Sequence, residues 1–147
     1  MPRLTVFLPA EKVVIDTQEN TTAIFGVMTG VYLGVPPESP PLPEGSGVPI
    51  RWYVLSIWRQ QPGDEGLHFT QRVQILSPSQ RVLFEGLLDF DIPKVTHRNK
   101  MEVIGFPVAE AGEYTLKLSI RSGEEQWHDA AEYPLSVSYV GPHQEAR

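Results

Sequence analysis

From Tyr114 to Arg121 apolar and polar residues alternate without a break: Tyr114, Leu116, Leu118 and Ile120 against Thr115, Lys117, Ser119 and Arg121. The same two-residue period returns in Tyr133, Leu135, Val137 and Tyr139, set against Pro134, Ser136 and Ser138, and in Phe69, Val73 and Ile75, set against Thr70, Arg72 and Gln74. Successive side chains of a strand point to opposite faces, so this period is that of a half-buried β-strand. No window of helical length free of Pro and Gly sustains a 3.6-residue period. The remaining β-rich stretches are Thr22–Leu33, Ile50–Trp58 and Val82–Phe90, with less regular ones at Thr5–Leu8 and Glu102–Val108. About seven to nine short strands separated by turn residues predict an all-β, antiparallel sandwich of immunoglobulin-like or C2-like type. At 147 residues the chain is expected to form a single domain, 1–147.

Composition narrows the classes of function. With no Cys, disulfides, thiolate zinc sites, iron–sulfur clusters and a Cys nucleophile are all excluded, and a cytoplasmic location is expected. The net charge of -6 offers no general attraction to phosphate backbones, so nucleic acid is not an expected partner. No apolar run approaches the ~18 residues of a membrane helix, and Pro9 interrupts the short apolar stretch near the N-terminus, which also lacks the pattern of a secretory signal. Neither membrane contact nor a cofactor is expected.

Six of the 14 prolines fall between Pro36 and Pro49. Pro lacks an N–H, so residues 35–49 read as a long surface loop with polyproline character and a Gly-Ser-Gly hinge at Gly45–Gly47. Ile50–Trp58, which follows, is apolar on both faces: Trp52, Val54 and Trp58 point one way, Tyr53, Leu55 and Ile57 the other. A sandwich strand buries one face only, so the second face requires a cover. The Pro-rich loop folding back, a second copy of the chain, and a small ligand or sugar are three occupants the sequence leaves open. Trp52, Val54, Trp58 and Trp127 are therefore expected as an interface or ligand platform.

Evidence for chemistry is thin. Of the four His residues, His68, His97, His128 and His143, no two share a metal-binding spacing. Asp89 and Asp91 share one face of a strand end, a spacing compatible with calcium but short of a full ligand set. Nucleophile-elbow, phosphate-loop and dinucleotide motifs are missing. Lys94, Arg98 and Lys100 form the one basic cluster, read either as an anion contact or as charges that guard a sheet edge. Tyr114, after Ala111-Gly112-Glu113, is placed to lock a corner between sheets through its hydroxyl or to serve simply as a core side chain.

The ordered set is Ile24-Phe25-Gly26, the Pro-rich loop, the Trp52–Trp58 strand, Phe69–Ile75, Val82-Leu83-Phe84 and Ala111–Leu116. It resembles a family of small, single-domain bacterial proteins known only as a domain of unknown function. The resemblance implies an immunoglobulin-like or C2-like sandwich and carries over no catalytic residue. Three functions stay open: a non-enzymatic binding or structural module that self-associates through Trp52–Trp58, a small-ligand or carbohydrate binder, and an enzyme using Asp89, Asp91 and His128 at loop ends.

Overall fold

The computed structural model describes residues 1–141, and His143 lies outside them. Nine strands run in the order β1 (Arg3–Asp16), β2 (Thr21–Val27), β3 (Gly30–Leu33), β4 (Gly47–Arg59), β5 (His68–Leu76), β6 (Val82–Asp91), β7 (Thr96–Pro107), β8 (Gly112–Ser122) and β9 (His128–Tyr139). They form a four-stranded sheet, β2-β1-β4-β7, and a five-stranded sheet, β3-β9-β8-β5-β6. All pairings are antiparallel except β3 with β9, which run parallel. Among the described residues no helix is long and apolar enough to cross a membrane.

Alternation decides which residues enter the core. Trp52, Val54 and Trp58 of β4 meet Phe69, Val73 and Ile75 of β5 and Tyr114, Leu116 and Leu118 of β8 in one apolar cluster between the sheets. Every residue of that cluster is buried, which is the condition for two facing sheets to be held by packing alone. One polar knot interrupts it. Gln71 Oε1 accepts from Ser56 Oγ at 2.7 Å, Asn99 Nδ2 at 3.0 Å and Trp58 Nε1 at 3.1 Å. A second buried indole, that of Trp52, donates through Nε1 to Gly105 O at 2.9 Å.

Two segments differ from the sequence reading. The β-rich stretch Thr22–Leu33 divides at Met28-Thr29 into β2 and β3, which belong to different sheets. The Pro-rich segment does form a loop, but Pro49 lies within β4. A register shift between Val48 and Arg51 places a β-bulge there, one of the few strand positions that tolerate a residue without an N–H. Nor does the loop cover the second face of β4. It is tied to the crossing between β7 and β8 by Leu42 N–H to Ala109 O and Val108 N–H to Ser46 O, and Leu42 packs against the inter-sheet core.

Candidate functional site

The expected aromatic platform is not at the surface. Trp52 and Val54 are 0% exposed and Trp58 is 1% exposed, all three facing the opposite sheet. Their inward direction follows from register: β5 and β8 supply the apolar faces that receive them, so this side of β4 is the core side. The face in need of a cover is therefore Tyr53, Leu55 and Ile57.

The cover is the β1–β2 hairpin. Beside β4, β1 pairs only from Arg3 to Ala10, the last step being Ala10 with Tyr53. A straight β1 would carry Asp16 about 20 Å past Tyr53, away from Ile57. Yet Arg98, which pairs with Ile57 from the other side, donates through Nη2 to Asn20 O at 3.1 Å, at the hairpin's turn. The hairpin therefore bends after Ala10 and lies back across the outer face of its own sheet. Val13 comes down with Ala10 on Leu55, all three buried, and Val6, Leu8, Ile15, Ile24, Tyr53 and Ile57 surround them. Gly26 adopts a positive φ of 64° on β2 at the level of the bend, a conformation that favours a residue without Cβ.

The basic cluster takes part in this closure. Arg98 holds the hairpin turn, and Lys100 Nζ stands 4.8 Å from the centre of the Tyr53 ring, a cation–π contact. Lys94 is exposed in the loop before β7. Trp127, half-buried between β8 and β9, has the Arg72 and Arg121 guanidinium carbons 4.4 and 4.5 Å from its ring centre.

The acidic and histidine residues are spread out. Asp89 accepts from Thr70 Oγ1 at 2.6 Å and Asp91 lies 2.8 Å from His68 Nδ1. His128 on β9 is separated from β6 by β8 and β5, three strand spacings or about 14 Å. His97 stacks on Phe90 and its Nε2 lies 2.8 Å from Asn99 Oδ1. Among the described residues no three His, Cys, Asp or Glu side chains converge as metal ligands do.

The bend in β1 has a second effect. Past Ala10 no strand among the described residues pairs with β4 on that side, so Val48, Arg51 and Trp52 keep β7 as partner and the other edge is vacant. Beside this edge lies a groove of about 620 Å³, whose opposite wall is the segment from Gly26 to Tyr32. Glu11 and Arg51 are its charged residues; Arg51 Nε is 3.5 Å from Glu102, whereas Glu11 has no ion-pair or hydrogen-bond partner among the described residues. On the rim, Val27 and Tyr32 are roughly half exposed. The opposite seam, between edge strands β6 and β7, holds a cleft of about 520 Å³ lined by Phe84 and Phe106, with Ile104 76% exposed at its mouth. The sequence offered no direct sign of either opening. The pair Pro9-Ala10 followed by Glu11-Lys12, where alternation fails inside β1, is the nearest trace of the bend.

Compared with known proteins, the chain matches no family model and no curated protein. The resemblance carried by its ordered motifs therefore rests on those motifs alone.

Proposed function

We propose that this chain is a non-enzymatic binding module of immunoglobulin-like architecture, which engages a protein partner at the groove beside the vacant edge of β4. Two features support the architecture. Tyr114 Oη donates to Glu110 O at 2.6 Å and accepts from the N–H groups of Ala109 and Glu110 at 3.0 Å each, the pattern of a tyrosine corner where the chain crosses between sheets. In addition, the four-residue β3 leaves the sheet of β1 and joins the far edge of the other beside β9. The observation that carries the binding reading is the groove itself, because an unpaired strand edge with an apolar wall is surface that a folded chain normally covers.

The test is selection of peptide or single-domain binders against the whole chain, with the contact mapped by amide chemical shifts. Binders whose shifts centre on residues 26–32 and 48–52 support the reading. Binders that consistently map elsewhere overturn it.

Self-association is a second reading, now placed at the other seam. Two long strands, β6 and β7, each have one unpaired edge there, and Ile104 stands exposed between them and solvent. Edge pairing between two copies would cover both.

A further inference from the structure

Resting on the groove as a binding surface, we infer that its occupant is an extended peptide segment bearing a basic residue, added as a strand to the vacant edge of β4. The geometry of β4 points to a strand. Beyond the bulge, Arg51 and Trp52 are extended and paired with β7 on one side, so the outward N–H and C=O of Arg51 on the other are held in ladder position. Such groups find partners in an incoming main chain, and the main-chain bonds supply affinity whatever the side chains. Pro49 and Ile50 form the bulge and Trp52 turns its N–H and C=O to β7, so pairing is centred on Arg51.

The walls choose the side chains. Alternate residues of an added strand point into the groove, toward Met28, Val31 and Val48, and these positions take apolar groups. Charge chooses the rest. Arg51 is already paired with Glu102, so the carboxylate of Glu11 is the groove's uncompensated charge. Glu11 lies over Gly26, where a Cβ would stand only 2.6 Å from its Oε2. A Lys or Arg on the incoming strand meets it there, whereas an acidic residue is repelled.

The probe is a set of blocked seven-residue Val/Ser peptides carrying Lys, Ala or Glu at each position in turn, with affinity read by titration and location by amide shifts. The best Lys peptide is expected to bind about fivefold more tightly than its Glu counterpart, and the preference reverses in Glu11→Lys. Methylation of the peptide's backbone nitrogen at alternate positions abolishes binding, and methylation at the intervening ones does not. Peptides that shift groove residues yet tolerate N-methylation everywhere overturn strand addition and leave the groove as a binding surface. Equal affinity for Lys and Glu peptides overturns the charge assignment. Shifts centred elsewhere, or no binding at millimolar peptide, overturn both this inference and the reading it rests on.

Discussion

Replacing Tyr114 by Phe removes one oxygen that serves three backbone groups at the crossing between β7 and β8. Because the donors of Ala109 and Glu110 lose their partner while the ring stays packed, Tyr114→Phe is expected to cost about 1–3 kcal/mol in urea unfolding. Leu55 tests the folded hairpin in the same way. On the open face of a two-layer protein Leu→Ala would matter little, but Leu55 is 0% exposed beneath Val13 and Ala10. Leu55→Ala should therefore cost about 2–5 kcal/mol, the range of a true core cavity. Tyr139 gives a pH signature. Burial, reinforced by Tyr114 and Glu110, pushes its hydroxyl above the ordinary value of 10.0. The folded state thus holds this proton longer than the unfolded chain, and the associated stability is complete below pH 10 and lost as pH rises through the folded value. Tyr139→Phe should flatten that part of the decline, measured as the difference between the two unfolding curves above pH 10.

At the scale of elements, β4 is two strands in one. Tyr53–Arg59 is paired on both sides, whereas Val48–Trp52 is paired only with β7. Hydrogen exchange should separate them: amides of the first half that point away from β7 exchange fast, and those from Tyr53 onward are protected. The strands with clean alternation, β5, β8 and β9, were legible from the sequence because each has one polar face and one apolar face. Tyr114's Gly-x-Tyr setting leaves two roles open, a corner lock or a plain core side chain, and the three bonds of its hydroxyl are those of the first. The bend of β1 was not legible, since it depends on where Arg98 meets Asn20, residues 78 positions apart. The two-faced apolarity of Ile50–Trp58 did signal a cover, but both of its faces are equally apolar in the local pattern, and only pairing partners distant in sequence turn Trp52 and Trp58 inward. The groove followed from the same unseen bend.

At the scale of the whole molecule, the two sheets meet along two seams, and each seam has an opening where edge strands diverge. If the β6–β7 seam joins two copies, Ile104→Lys should convert a dimer to a monomer in light scattering while the monomer keeps its fold by circular dichroism, because Ile104 is exposed to solvent in the single chain. A monomer for both proteins removes that reading.

The parallel pairing of β3 with β9 also governs order in time. Gly30 stands in register with Ser136, roughly a hundred residues later, whose N–H donates to Thr29 O. A ribosome adding ~10 residues each second leaves β3 without its neighbour for about ten seconds. During that interval one sheet lacks its border, and contacts so distant along the chain form slowly in any case. Until β9 emerges, β3 of a nascent chain has its edge open toward the place β9 will take.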